Sequence, residues 1–419
     1  MKTQNNLHKA ICMSIGLILC VLLSTQPVYA QGNIHYGRLN VKPSIGASLE
    51  HNNNIYLEDQ HQVEDLILKL NPEIMCQYLD TRPNNYFVSG LNIELASYFK
   101  RNDNNYQKME PFLLFGLQTP SGFFTRFNER YMKTADPYGA SNNYGLGRKT
   151  SRSENTIDFT FGQHFTDRLR LEAMYKNFSL RYKDSFDQWQ DRTDSIFRLG
   201  ISLRMTSSRK TSMVAEYILT DATYDRQKPA SSSQDYNLNK FLVGFSFEPG
   251  SKLSGSAKIG FAGKSFDNSK SFVTDANDNP VPYDDTSTWV IETDVLFSMS
   301  DITNLGFRFI RKIEGAPDRD STSFVDTIIA FDLKHKVHHK TFFKTGLGWK
   351  NADYRDERSG TPNKYFNDYK LFFGLDHTLQ DWLKISSTYS YETQTASHSD
   401  WFYLEYSVSK LIVEMNAMF

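Results

Sequence analysis

The chain has 419 residues, with 47 Lys/Arg against 48 Asp/Glu for a net charge of −1, and 14% of it is Phe, Trp or Tyr. A balance so near zero excludes binding driven by a strong basic or acidic field, nucleic-acid binding included. Three cysteines are too few for a disulfide framework, and none stands in a Cys-x-x-Cys pair that would suggest a metal or redox centre.

Residues 1–30 read as an export signal. Lys2 and Lys9 precede an apolar run from Ile11 to Ser24, and Val28-Tyr29-Ala30 places small or modest side chains around a signal-peptidase site. The run is shorter than the roughly 20 residues a transmembrane helix needs. Cleavage is expected near Ala30, leaving residues 31–419 as one domain with 47 − 2 = 45 Lys/Arg, 48 Asp/Glu and a single cysteine, Cys76.

That domain alternates from end to end. Ile157, Phe159, Phe161 and Phe165 share one face, with Asp158, Thr160, Gly162 and His164 on the other. Leu169, Leu171, Ala173 and Tyr175 oppose Arg168, Arg170, Glu172 and Lys176. Phe197, Leu199, Ile201, Leu203 and Met205 oppose Arg198, Gly200, Ser202 and Arg204. Only a strand, with its period of two, sorts side chains this way. About eighteen such segments (16–18) begin near residues 39, 64, 86, 108, 122, 154, 168, 193, 210, 236, 252, 286, 303, 322, 340, 365, 382 and 401.

Their connections alternate between short and long. Thr119–Ser121, Thr166-Asp167, Thr206–Arg209, Glu248–Ser251, Ser300–Ile302, Lys336–His339 and Thr378–Asp381 are tight turns. Between them lie polar stretches at Lys133–Ser153, Thr223–Asp235, Gly263–Asp285 and Arg355–Asn363. Short turns at one end and long loops at the other describe an all-β, transmembrane, antiparallel up-and-down barrel, with periplasmic turns and extracellular loops. Both termini are then periplasmic, and the location is the outer membrane of a Gram-negative bacterium. The last strand places Leu411, Val413, Met415, Ala417 and the terminal Phe419 on one face, an arrangement similar to the signal read by the outer-membrane barrel assembly machinery.

With the apolar face toward lipid, the mixed face looks into the lumen. Residues expected to line it include Arg126, Arg130, Arg170, Arg198, Arg204, Arg308, Lys344, Lys370, Glu172, Glu292, Asp294 and Asp332. They suit a polar conduit, and equally a wall held by cross-strand ion pairs. No cofactor or metal is expected. His335, His338 and His339 crowd one turn without carboxylate or cysteine partners at ligand spacing. Asp275–Asn279 opens like a calcium loop, but Pro280 and Thr286 stand where that loop needs Gly and Glu. His164 and Ser202 share the inward face with no Gly-x-Ser-x-Gly elbow, so no enzyme is expected.

Asn52 to Tyr56, then Asp65, a hydrophobic strand and Asn71-Pro72 resemble the opening of the putative beta-barrel porin 2 family of outer-membrane proteins. The resemblance implies a link to exopolysaccharide or capsule production. The expected function is a porin-like conduit for hydrophilic solutes, with exopolysaccharide export or surface assembly favoured. The alternatives are a loop-plugged surface protein that binds polysaccharide without conducting, and a general diffusion porin. The partners expected are the lipid bilayer, the assembly machinery and a polysaccharide or other hydrophilic solute, with no nucleic acid.

Overall fold

A chain crossing lipid by strands must pair every backbone amide and carbonyl within itself, because hydrocarbon offers no substitute partner. The computed structural model meets this demand by closure. It describes residues 34–80, 82, 84–135, 149–183, 190–205, 210–225, 234–267, 272–274, 280–283, 285–315, 321–356, 364–397 and 405–419. The expected signal segment, the Asp275–Asn279 stretch, the turn at 206–209 and residue 401 lie outside these.

A three-residue strand, β1 (Ile34–Tyr36), folds back through Gly37 onto β2 (Leu39–Asn52). The wall continues through β3 (Asp65–Leu79), β4 (Tyr86–Tyr98), β5 (Tyr106–Gln118), β6 (Phe123–Thr134), β7 (Arg152–His164) and β8 (Leu169–Tyr182). Next come β9 (Arg192–Arg204), β10 (Thr211–Tyr224), β11 (Tyr236–Phe247) and β12 (Leu253–Phe266). A separate two-stranded hairpin, β13 (Phe272–Thr274) with β14 (Pro280–Pro282), lies in the following loop. The wall resumes with β15 (Thr286–Ser300), β16 (Thr303–Gly315), β17 (Ser321–His338), β18 (Thr341–Asp356), β19 (Tyr365–Gln380), β20 (Leu383–Ala396) and β21 (Tyr406–Met418).

Each wall strand pairs antiparallel with its neighbours in sequence, and β2 pairs with β21 from Ser44↔Met418 to Asn52↔Lys410. The result is a closed barrel of eighteen strands. Expected strand starts agree within two residues for all but the last, which begins at Tyr406. Every long connection exceeds both of its short neighbours, and the two ends of the described chain lie at the short-turn end.

Three details differ from the sequence expectation. At the short-turn end, β15, β17 and β19 run on to Ser300, His338 and Gln380, each with a register shift in its last residues. An extra residue there increases local twist, so the connections shrink to residues 301–302, 339–340 and 381–382. Asn71-Pro72 sits within β3, and the β3–β4 ladder steps from Leu70↔Leu95 to Glu73↔Asn92. Proline has no N–H to donate, so a break in the ladder is its natural consequence. The loop expected from Gly263 is shortened, because β12 extends to Phe266.

The outer surface is apolar and exposed, as a lipid-facing wall must be: Leu199 is 60% exposed and Phe261 57%. On the opposite face four aromatic rings lie over glycines directly across the ladder. The pairs are Tyr86 on Gly116, Phe112 on Gly90, Phe124 on Gly162 and Phe372 on Gly346. A Cβ on Gly116 would stand 2.6 Å from Tyr86 Cζ. Each ring therefore fills the space that the glycine leaves, stiffening the inner wall without a protruding side chain.

Two outcomes follow. Leu199→Arg, at mid-height on β9, should destabilise the barrel by ~2–4 kcal/mol if that position faces the bilayer midplane, measured by reversible unfolding in lipid vesicles. Gly116→Ala should cost ~1–3 kcal/mol through overpacking. Added to Tyr86→Ala, the same substitution should cost almost nothing, a coupling that a double-mutant cycle measures.

Candidate functional site

On the concave face of a closed sheet, side chains from alternate strands converge, whereas on the convex face they diverge. Lys240 of β11 pairs with Glu292 of β15 across β12, and Lys258 of β12 pairs with Glu216 of β10 across β11 at 2.9 Å. These contacts mark the inner face, and the register carries that assignment around the barrel.

By that register Arg126, Arg130, Arg170, Glu172, Arg198 and Arg204 stand on the inner face of β6, β8 and β9. Glu292, Asp294, Arg308, Asp332, Lys344 and Lys370 stand on the inner face of β15 to β19. Most are paired. Arg170 and Arg198 share Glu172, Arg204 meets Glu248, and Arg130 meets Glu110 at 3.2 Å. Arg308 meets Asp294 at 3.0 Å, Lys344 meets Asp376 at 2.7 Å and Lys370 approaches Glu392 at 3.8 Å. Asp332 is exposed between Gly306 and Gly346. Ser202 and His164 flank Arg170 in the ladder. At the short-turn end the His338 and His339 rings lie 3.9 Å apart, and proximity to His338 lowers the His339 pKa.

Several of these inner side chains are highly exposed. The Asp294 side chain is 64% exposed, Arg130 59% and Lys370 58%. Such exposure shows unfilled space around these three side chains among the described residues.

The long-loop end is different. Pairing of β15 with β16 stops at Ile291↔Arg311, although β15 begins five residues earlier and β16 runs on to Gly315. Above that fork β16 parts from β15 and its edge turns into the barrel, while β17 stays laddered to β18 as far as Ser321↔Asp356. Ile313 packs on Leu242, Ala262 and Val290, inner-face residues of β11, β12 and β15. The Ser323 hydroxyl reaches Thr286 at 3.4 Å. At Gly315 a Cβ would lie 3.4 Å from the Tyr224 hydroxyl and 3.5 Å from an Arg192 guanidinium nitrogen, on β10 and β9. Arg311 bridges the fork, donating to Thr327 at 2.8 Å and Thr288 at 3.2 Å while lying over Trp289. Residues Ser323 to Thr327 are buried without interruption, as expected of a segment packed on both faces. Among the described residues the inward turn is made by β16, whose connection to β17 is one of the shortest at the long-loop end. Arg311, a charge on the face that carries Phe307 and Phe309, is the signal available in the sequence.

The Asn-rich opening has a structural role at the seam. Asn54 is fully buried, and its amide donates to the Glu58 carbonyl at 2.7 Å and the Ser407 carbonyl at 2.9 Å. The Ser409 amide donates to the Asn53 side chain at 2.7 Å. Thus the first loop continues the β2–β21 closure above Asn52, where the ladder ends. Ile55 fills a cluster with Ile67, Ala96 and Tyr98. Asp65 accepts the Lys100 and Arg101 amides at 2.9 and 2.8 Å, fastening the next loop to the same rim.

Nearby, Lys100 donates to Glu64 at 2.6 Å, and this hydrogen bond with its charge holds the Glu64 carboxyl below its usual range. A depressed folded-state pKa gives stability that is present above the unfolded value of about 4.3 and disappears as pH falls through the folded one. Both side chains are half exposed, so screening keeps the contribution below ~1 kcal/mol. Glu64→Gln should therefore lower stability slightly at neutral pH and match the parent chain well below pH ~4, as followed by denaturant midpoints across pH.

Comparison with known proteins adds the following. No curated protein matches the sequence. Among solved structures, the outer membrane protein opdK of Pseudomonas aeruginosa aligns at 9% identity and a TM-score of 0.47, covering 90% of this chain and 99% of that one. The siderophore receptor PirA of Pseudomonas aeruginosa aligns at 9% and 0.43, covering 90% and 80%. OmpT of Vibrio cholerae aligns at 10% and 0.36, covering 92% and 100%. The family model described as Putative beta-barrel porin 2 matches residues 26–417. With a closed eighteen-strand barrel and a match spanning nearly its whole length, this chain belongs to that outer-membrane porin family.

Proposed function

We propose that the barrel is a conduit for hydrophilic solutes across the outer membrane of a Gram-negative bacterium, with an exopolysaccharide as the favoured cargo. The observation that carries this reading is the combination of exposed inner charges at Asp294, Arg130 and Lys370 with eighteen strands, a number at which a barrel leaves an aqueous channel. The polysaccharide assignment draws on what the family resemblance implies. In this reading the short turns and both termini face the periplasm after removal of a signal ending near Ala30, and the protein acts without enzymatic chemistry. The apolar side chains Leu411, Val413, Met415, Ala417 and Phe419 then serve as the signal that delivers the barrel to its assembly machinery. Phe419 stacks on Trp382 at 6.2 Å, and its amide donates to Pro43 at 3.0 Å.

A second reading has a specific observation in its favour. The inturned edge of β16 narrows the long-loop end, which suits a surface protein that binds polysaccharide with its lumen closed. Planar-bilayer conductance separates the two. The conduit reading expects steady openings from the full-length mature barrel. Ile313→Asp places a charge among Leu242, Ala262 and Val290, where an unpaired carboxylate is unfavourable. It should release the inturned edge of β16 and raise the conductance. A parent protein that inserts but never conducts, alongside an Ile313→Asp variant that does, would establish the closed reading instead.

A further inference from the structure

The inner wall of β6 to β12 holds a cavity of about 330 Å³, lined by Arg126, Arg170, Arg198 and Lys258 with Glu172 and Glu216. This lies at the small end of ligand pockets, which run from about 300 to 1,000 Å³. Its charges do not cancel. Glu172 is divided between two guanidiniums, while Lys258 serves Glu216 at 2.9 Å and Glu292 at 3.5 Å. Arg126 has no carboxylate within ion-pair distance among the described residues; its contact is the Phe124 ring, 5.2 Å away. Arg170 lies over the same ring at 5.1 Å. One ring thus holds two like charges toward one space. The Arg198 Nε is buried with no hydrogen-bond acceptor. Beside it Gly200 leaves room, since a Cβ there would meet nothing nearer than 3.9 Å.

An excess of forked N–H donors around a water-accessible cavity matches the planar oxygens of a carboxylate, which arginine binds in bidentate fashion. We propose that this cavity is a binding subsite for a carboxylate borne by the solute in the lumen. The inference rests on the conduit reading and gives it a cargo class, acidic hydrophilic solutes. Arg126 receives the anion first, because its charge is uncommitted. Arg170 and Arg198, which outnumber the one Glu172 they share, add positive charge to the wall around it, and Gly200 keeps the floor open.

The test uses the mature full-length protein in planar bilayers at about 0.1 M KCl, where the screening length is ~10 Å. Trigalacturonate, a neutral trisaccharide of equal length, and acetate are added in turn. The expected result is a preference for chloride over potassium and interruption of current by trigalacturonate but not by the neutral sugar. Arg126→Gln should weaken that block about tenfold, the scale of one lost charged hydrogen bond. Gly200→Val, which fills the cavity without disturbing an ion pair, should also weaken it, and Lys100→Gln in the distant loop should not. Block by acetate at the same concentration would assign the site to free small acids; block by trigalacturonate alone would assign it to acidic saccharides. Equal effects of charged and neutral trisaccharides on a conducting channel would overturn the subsite and leave the conduit reading intact. If the channel never conducts, the conduit reading fails. Trigalacturonate binding to detergent-solubilised protein, compared with Arg126→Gln by thermal shift, then decides the subsite, and identical shifts in both proteins would overturn it.

Discussion

Everything in this protein depends on the meeting of β2 with β21. Lipid provides no hydrogen-bond partner for an unpaired strand edge, so the sheet has to close on itself. The ladder from Ser44↔Met418 to Asn52↔Lys410 performs the closure. Asn53 and Asn54 extend it into the first loop by replacing the missing ladder bonds with side-chain amides directed at β21. Once closed, the sheet has two unlike faces, and each further feature follows from which face a residue occupies.

Much of this architecture is legible in the sequence because period-two alternation is a strong signal when one face meets lipid and the other water. Arg198 and Leu199, adjacent in the chain, separate cleanly, and turn residues such as Thr119-Pro120-Ser121 punctuate the strands. What remains hidden depends on contacts between residues distant in sequence. Locally the 303–338 region gives one sign, Arg311 on the apolar face that carries Phe307 and Phe309; where the upper part of β16 goes is not written there. The fork exists because Ile313 finds Leu242, Ala262 and Val290, which lie on three other strands. Likewise Asn71-Pro72 has the composition of a turn, yet it sits within β3, where the neighbouring ladder tolerates a short break.

The inner wall joins two requirements that conflict in most proteins. Ion pairs such as Arg170–Glu172–Arg198 and Lys240–Glu292–Lys258 tie neighbouring and alternate strands together, while the same charges keep the lumen hydrated. Aromatic rings over glycine stiffen the wall between them. Charge is incompletely matched at Arg126, so in the proposed conduit cohesion and recognition would reside in one set of side chains.

The fork between β15 and β16 has a consequence of its own. Below Ile291 and Arg311 the two strands belong to one continuous cylinder; above that point β16 parts from β15 and its edge turns inward, still laddered through β17 to β18. The width of the long-loop end therefore depends on how far one strand edge turns inward. Substitutions along that edge can reshape this end while strand number and the β2–β21 closure stay constant.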